Sequence, residues 1–296
     1  MKYVANTSRQ RQQMLRACGV ESVDELFDSI PASLAPASFE LPRARSELEV
    51  FAFFDELSRQ NYGDLISFLG GGFYDHFIPA AVDDIAGRSE FYTAYTPYQA
   101  ELSQGTLQAI YEYQSDICRL TDLEVANASI YDGGTALYEA CQMAIAATGR
   151  RKVVMDGGVN PIYRKMIHSY ATNLAIEFRE TGGAHQQADR ELLYEQIDGE
   201  TAAVILQNPN FFGVIDDYSD IVERCHQQGA LALASVNPIG CALLKTPGEM
   251  GFDIATGEGQ PLGIPLSFGG PYLGFMAATR KLLRRMPGRI AGRTVD

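Results

Sequence analysis

The composition is that of an acidic chain with an ordinary globular mix of residues. The chain has 296 residues, of which 46% are hydrophobic and 21% are charged. Its net charge of -13 argues against nucleic acid and anionic membranes as main partners. No stretch approaches the ~18 consecutive apolar residues of a membrane-spanning helix, and the N-terminus lacks the apolar run of a signal peptide. We therefore expect a cytoplasmic protein with one large domain or two modest ones.

The cysteines and histidines indicate neither a disulfide framework nor a metal site. The five cysteines are odd in number, and no two of them have C-x-x-C spacing. None of the four histidines pairs with another at the spacing of metal ligands. We therefore predict no metal, and unpaired thiols suit a reducing cytoplasm.

Residues 1–62 are predicted to form a helical N-terminal arm. Ser22 and Glu25 make a capping-box pattern, and Ser46 and Glu49 repeat it. The second pattern precedes a segment whose apolar residues recur at helical spacing, namely Leu48, Phe51, Phe54 and Leu57. Two interpretations fit this arm, since it could pack on the rest of the chain or wrap around a partner subunit.

Residues 63–296 are predicted to form one large α/β domain. From about residue 107, helical patterns alternate with short apolar segments of the kind that form strands. Several of these segments are apolar throughout, as expected when helices cover both faces of a sheet. The sequence therefore predicts a mostly parallel sheet between helices, with strands near 126–132, 152–156, 175–180, 201–208, 230–235, 252–256 and 272–279.

A glycine turn lies between a predicted strand and a predicted helix. Gly133, Gly134 and Thr135 follow Asp132 at this point. Glycines let a ligand approach the backbone, and a helix N-terminus offers free N–H groups to an anion. The turn therefore suits a phosphate, although a purely structural turn explains the same residues.

A tyrosine-rich segment at 91–106 is the second candidate for a ligand site. Tyr95, Thr96, Tyr98 and Gln99 carry phenol, hydroxyl and amide groups, and Pro97 interrupts any helix through them. Such groups suit a small polar substrate or an aromatic ring, although a polar interface loop fits equally well. His76 follows three glycines and is the histidine best placed for a pocket loop.

Six long stretches of the chain carry a specific family resemblance. They lie at 68–82, 90–114, 125–140, 155–167, 207–217 and 247–277. In these stretches the chain resembles the P-protein family of the glycine cleavage system, and within it the alpha chains of the two-chain bacterial glycine dehydrogenase (decarboxylating). The resemblance implies the large α/β domain of pyridoxal-phosphate-dependent (PLP-dependent) fold type I. It also leads us to expect that the family's small C-terminal domain is absent from this chain.

The resemblance also makes one absence informative. Residues 252–274 correspond to the segment that carries the Schiff-base lysine in the family's catalytic beta chains, yet the chain has no lysine between Lys245 and Lys281. By the family's spacing, counting back from Pro265 puts Gln260 at the position of that lysine. Counting forward from Asp253 reaches Pro261, one residue later. Ala234 takes the position of the aspartate that contacts the pyridine nitrogen. An enzyme that uses PLP needs the lysine amine to hold the cofactor as an imine.

The function that the resemblance implies is that of a subunit that does not anchor PLP. A beta subunit would hold the PLP, and the complex, a heterotetramer, would decarboxylate glycine and pass the aminomethyl group to the lipoyl arm of H-protein. Tyr95, Thr96, Tyr98, Gln99 and His76 would line the pocket opposite the cofactor. A catalytically silent scaffold is the main alternative. A free-standing PLP or nucleotide enzyme is disfavoured by the missing lysine and by the lack of a nucleotide-binding fingerprint.

Overall fold

The structure, a computed structural model, describes residues 5–31, 33–34, 40–63, 65–66, 68–92, 95–182 and 187–295. The chain divides into two compact units, residues 1–67 and 68–296. The sequence predicted a boundary at 62/63, a few residues earlier, and each unit is described separately below.

The first unit is helical. It contains α1 (Ser8–Ala17), a 3₁₀ turn (Asp24–Phe27) and α2 (Glu47–Ser58). Ser46 caps α2 and forms the predicted capping box with Glu49, whose carboxylate accepts the Ser46 N–H at 2.7 Å. Ser22 and Glu25 make the same pair of bonds, but only the 3₁₀ turn follows them.

Eight helices belong to the described part of the second unit. They are α3 (Ala80–Ala86), α4 (Ser89–Tyr92), α5 (Ala100–Thr121), α6 (Gly133–Thr148), α7 (Pro161–Tyr170), α8 (Arg190–Gln196), α9 (Ser219–Gln227) and α10 (Pro247–Met250). Three 3₁₀ turns accompany them, at Gly240–Ala242, Gln260–Leu262 and Arg280–Arg285. Pro161 occupies the first turn of α7, where its missing N–H costs nothing.

The strands form a single mixed sheet with the order β1-β7-β6-β5-β4-β2-β3. β7 runs in the opposite direction to the other six strands, and all pairs without β7 are parallel, which confirms the prediction of a mostly parallel sheet. Most of the predicted strand at 126–132 does not form, because after residue 126 only Ile130 makes an isolated bridge, to Gly274. The strands are β1 (Val125–Ala126), β2 (Lys152–Met155), β3 (Glu177–Glu180), β4 (Thr201–Asn208), β5 (Leu231–Val236), β6 (Ile254–Glu258) and β7 (Gly274–Ala278).

Apolar side chains on both faces of the sheet form the core. On one face, Val204 and Leu206 of β4 pack in a cluster with Ile221 and Cys225 of α9. On the other face, Ile205 packs in a cluster with side chains of α6 and α7. Because successive strand residues point to opposite faces, a strand covered on both sides must be apolar throughout. This explains the uninterrupted apolar segments in the sequence.

The topology brings the carboxyl ends of four strands to one edge of the sheet. β2, β4, β5 and β6 are adjacent and parallel, and the strand order reverses between β2 and β4. In open α/β sheets, ligands bind outside the carboxyl ends of the strands at such a reversal. We therefore expect a ligand site at this edge of the sheet, between β2 and β4.

None of the helices in the described ranges is both long enough and apolar enough to cross a membrane.

Gly257 in β6 offers a test of the packing between the sheet and its neighbours. A Cβ at this position would overlap the Val236 carbonyl oxygen and lie 2.6 Å from the Phe275 ring. We expect Gly257→Ala to lower the free energy of unfolding by roughly 1–3 kcal/mol or more, because backbone and ring must shift. Gly199→Ala is the matched control, since its Cβ would meet nothing within 4 Å. Equal urea denaturation midpoints for the two variants would contradict this account of the packing.

Candidate active site

A cavity of about 240 Å³ opens at the carboxyl ends of β2, β4, β5 and β6. Its wall combines polar and apolar surface and includes five side-chain amides. The lining residues are Gly72, Tyr74, Asn160, Tyr163, Gln207, Pro209, Asn210, Phe211, Gly213, Ser235, Val236, Asn237, Glu258, Gln260 and Pro261. A concave polar site at a sheet reversal is the best candidate for a functional site in this unit.

The turn after β2 forms one wall of the cavity. Asp156 is buried, and its carboxylate accepts the Gly158 N–H at 2.8 Å and the Thr181 hydroxyl at 3.2 Å. Burial raises the pKa of Asp156, and these two hydrogen bonds oppose the rise. Asn160 then caps α7, and its own N–H donates to Gln207 Oε1 at 2.8 Å. Side-chain bonds therefore tie the β2 turn to the end of β4.

The loop after β4 forms the facing wall. Asn210 Oδ1 accepts the N–H groups of Phe212 and Val214, both at 3.0 Å. The Asn210 N–H donates to the Val214 carbonyl at 2.9 Å. One buried amide side chain therefore holds a tight turn against the cavity.

The end of β5 contributes Ser235, Val236 and Asn237 to the lining. Ala234, which the sequence predicts to take the family's aspartate position, is not among the lining residues and lies in the core with Ala232. Ala234 carries no acid, so a group in the cavity would receive no carboxylate from it.

Gln260, which the sequence predicts to take the family's lysine position, lines the cavity and is 2% exposed. Its side-chain amide donates to the Ile264 carbonyl oxygen, and its backbone N–H donates to Glu258 Oε1 at 3.0 Å. A carboxamide nitrogen is neither basic nor nucleophilic, so Gln260 cannot form an imine.

Glu258, at the end of β6, is the one charged residue of the lining. Its Oε2 accepts the Gly133 N–H at 3.0 Å, and its Oε1 accepts the Leu273 N–H at 3.0 Å as well as that of Gln260. Burial raises the pKa of Glu258, and the three N–H donors counteract this. Burial also raises the pKa of Tyr163, which lies in the same wall, and the charge on Glu258 adds to that effect.

The glycine turn begins α6, as the sequence predicted. Asp132 caps the helix, and its carboxylate accepts the Thr135 N–H at 2.8 Å and the Thr135 hydroxyl at 2.7 Å. Gly133 and Gly134 are buried. A phosphate role for the turn remains a prediction.

The tyrosine-rich segment lies outside the lining of this cavity. Tyr95 is 87% exposed and Tyr98 is 72% exposed, and both border a separate, wide depression together with Thr96 and Gln99. The guanidinium of Arg289 lies 4.0 Å from the centre of the Tyr98 ring. Whether these four side chains line an active site stays a prediction at this point.

His76 is half-buried and does not line the cavity. Its Nδ1 lies 2.8 Å from the Tyr74 carbonyl oxygen. Two neighbours in its loop, Gly72 and Tyr74, do reach the cavity. The structure therefore brings the loop to the site but not the histidine.

Sequence reasoning missed most of the polar lining, including Asn160, Gln207, Asn210 and Glu258. A usable signal was present, because each of these residues lies at or just beyond the carboxyl end of a predicted parallel strand. Such ends meet at one edge of a sheet. The signal could have been found by comparing strand ends rather than by looking for motifs.

Sequence and structure comparisons agree on the family of this chain. The fold is the large α/β domain of PLP-dependent fold type I, and the family model described as "Glycine cleavage system P-protein" matches residues 1–296. The chain is 55% identical to the probable glycine dehydrogenase (decarboxylating) subunit 1 of Geotalea uraniireducens, over all of this chain and 67% of that protein. The chain belongs to the glycine cleavage system P-protein family.

Solved structures give the same result. A crystal structure of glycine decarboxylase (P-protein) of the glycine cleavage system, in inhibitor-bound form, aligns with a TM-score of 0.89 and 40% identity, over 100% of this chain and 67% of that one. The Burkholderia pseudomallei sphingosine-1-phosphate lyase aligns with a TM-score of 0.56 at 12% identity, over 86% of this chain and 64% of that one. At that identity the second match supports the fold alone. This chain spans about two thirds of the length of its curated relatives.

Pyridoxal phosphate is used by this family, but the residues of this cavity do not fit it as a covalently held group. Gln260 offers no amine, and none of the lining residues is a lysine. Ala234 offers no acid to a ring nitrogen. The N–H of Gly133, at the helix terminus where a phosphate would be held, is already bonded to Glu258. The described lining of this cavity therefore offers no covalent anchor for the cofactor.

Asn210 tests whether the loop after β4 is held as the geometry indicates. We expect Asn210→Ala to lower the free energy of unfolding by about 1–3 kcal/mol, because two partly buried backbone N–H groups lose their acceptor. Tyr163→Phe is the control in the same wall, since the Tyr163 hydroxyl makes no hydrogen bond within the described part of the chain, and its effect should stay below ~0.5 kcal/mol. Urea denaturation of both variants gives the comparison, and a Tyr163 variant as damaged as the Asn210 variant would contradict it.

Proposed function

We propose that this chain is the subunit of glycine dehydrogenase (decarboxylating) that does not anchor PLP. A partner subunit with a Schiff-base lysine supplies the cofactor. The complex, a heterotetramer in the bacterial cytoplasm, decarboxylates glycine and passes the aminomethyl group to the lipoyl arm of H-protein. The term "subunit 1" in the names of the relatives supports a partner subunit, and five free cysteines suit a reducing compartment.

One observation carries the proposal, namely Gln260 at the cavity where the chemistry requires an amine. The lysines nearest to it in sequence are engaged elsewhere. Lys245 Nζ lies 2.8 Å from Asp217 Oδ2, and Lys281 Nζ lies 2.6 Å from Asp253 Oδ1. Neither lysine lines the cavity. A chain that has this family's fold but no lysine among the described residues that line the cavity needs a partner for the reaction.

The tyrosine-rich segment is our candidate for the contribution of this chain to the partner's active site. Tyr95, Thr96, Tyr98 and Gln99 share one concave surface. The phenol and amide groups are not buried in their own subunit, so they are available to a group on another subunit. Their role would be to bind and orient glycine and to exclude water from it. His76 is a weaker candidate, because it lies in a neighbouring loop of the same unit.

Reconstitution tests the proposal and separates it from a catalytically silent scaffold. Glycine–bicarbonate exchange should be absent with this chain alone, and should appear when the full-length protein is mixed with its partner subunit, PLP and lipoylated H-protein. The partner subunit without this chain is the control. Full exchange by the partner alone would show that this chain contributes nothing to turnover.

The tyrosine hydroxyls allow a direct test of the pocket role. We expect Tyr95→Phe or Tyr98→Phe to cost ~1–3 kcal/mol through a lost hydrogen bond, which corresponds to a fall of ~5- to 150-fold in kcat/KM for glycine. Tyr170→Phe, at a half-exposed tyrosine of α7, is the matched control. Assembly is checked by gel filtration. Unchanged kinetics in both loop variants would remove the segment from the active site.

Restoring a lysine should not restore cofactor binding by this chain. We expect Gln260→Lys to give no stoichiometric PLP adduct, because Ala234 provides no acid and Gly133 is already bonded. Pro261→Lys is the second variant, because counting forward from Asp253 by the family's spacing reaches Pro261 instead of Gln260. The measurement is absorbance of the isolated variants with PLP before and after borohydride reduction, followed by mapping of any modified lysine. One reduced adduct per chain at either new lysine would contradict this prediction.

A further inference from the structure

The N-terminus of α6 is occupied by an anion that belongs to the protein itself. The first N–H groups of a helix have no acceptor within the helix, and the helix dipole places partial positive charge there. At α6 the Gly133 N–H donates to Glu258 Oε2 at 3.0 Å. Glu258 lies 125 residues further along the chain, so only the fold brings the two groups together.

The same carboxylate collects N–H groups from two further segments. Glu258 Oε1 accepts from Gln260 and Leu273, both at 3.0 Å. All of these partners are donors, so the geometry fits an ionised carboxylate rather than a carboxylic acid, which would need an acceptor. Three N–H groups that converge on one anion form the kind of cradle that binds phosphate oxygens in other proteins.

Protein atoms pack closely against the two glycines of the cradle. A Cβ at Gly133 would lie 2.6 Å from the Tyr163 hydroxyl and 2.8 Å from the Glu258 nitrogen. A Cβ at Gly134 would lie 2.7 Å from the Met166 sulfur. Two further donors in the turn, the N–H and hydroxyl of Thr135, are bonded to Asp132. The glycines therefore accommodate protein atoms rather than a bound ligand.

We propose that the Glu258 carboxylate takes the place of the cofactor phosphate at the N-terminus of α6 and thereby excludes phosphorylated ligands from this chain's cavity. The residue acts as a specificity determinant, because it leaves the partner subunit as the only place where PLP can be held. The biological meaning of this exclusion rests on the proposed function. The placement of the carboxylate does not.

Chemical rescue by inorganic phosphate distinguishes this role from that of an ordinary helix-capping glutamate. Glu258→Ala should lower the Tm of the full chain by roughly 2–10 °C, because buried N–H groups lose their acceptor. Phosphate should then restore at least half of the loss in a saturable way, at ionic strength matched with chloride. The wild-type chain should gain no more than the general stabilisation that phosphate gives by exclusion from the surface.

Two control variants make the rescue specific. Glu258→Gln fills the same space without the charge, so it should lose stability and show no rescue. Glu249→Ala removes a capping-box carboxylate that accepts the Thr246 N–H at 2.8 Å at the start of α10, and it should also show none. A saturable phosphate effect in Glu258→Ala alone supports the proposal. Its absence, or an equal effect in all three variants, overturns the proposal, as does a Glu258→Ala variant as stable as wild type.

A folding failure would still leave the proposal open to test. If Glu258→Ala is unfolded in chloride, Glu258→Ser is the next variant, and the yield of folded protein from urea into phosphate or chloride replaces the Tm. Equal yields in the two salts overturn the proposal. These measurements need neither the partner subunit nor glycine, so their failure is separate from a failure of the reconstitution that tests the proposed function.

Discussion

The carboxylate of Glu258 connects the parts of the structure that surround the cavity. It binds the start of α6, the turn after β6 and the residue before β7 through backbone N–H groups. Backbone donors buried without an acceptor cost free energy comparable to a lost hydrogen bond. One side chain therefore satisfies three segments that meet only in the folded chain. The position of the glycine turn over the sheet depends on this contact.

In the other walls of the cavity, side-chain oxygens also accept hydrogen bonds from backbone N–H groups. Asp156, Asn160, Gln207 and Asn210 direct their acceptors at backbone N–H groups of neighbouring turns. These polar groups therefore stabilise the loops at the strand ends and are less available to a ligand. The cavity resembles a cofactor site in its place in the fold and differs from one in its chemistry. This difference is the physical basis of our proposal that the chain contributes to a reaction without holding the cofactor.

Architecture could be predicted well from the sequence, and the site could be predicted only in part. Continuous apolar segments such as 201–208 predicted strands buried on both faces, and the capping residue Ser46 marked a helix start that the structure confirms. The strand predicted at 126–132 was mostly wrong, because its ladder ends after Ala126 and the chain pairs again only at Ile130. Local propensity cannot decide where a partner strand ends.

The sequence by itself determined the family, the alternation of helices and strands, and the absence of a lysine between Lys245 and Lys281, because these depend on residue identity and spacing. Only the tertiary structure decided which side chains surround the cavity where a lysine would be needed. It placed Gln260 in the cavity wall and the tyrosine-rich segment on a separate surface. It also brought Glu258 into contact with Gly133 at the start of α6, although 125 residues separate the two in sequence. Contacts between residues far apart in sequence depend on how strands and helices pack together, so a local sequence pattern does not predict them.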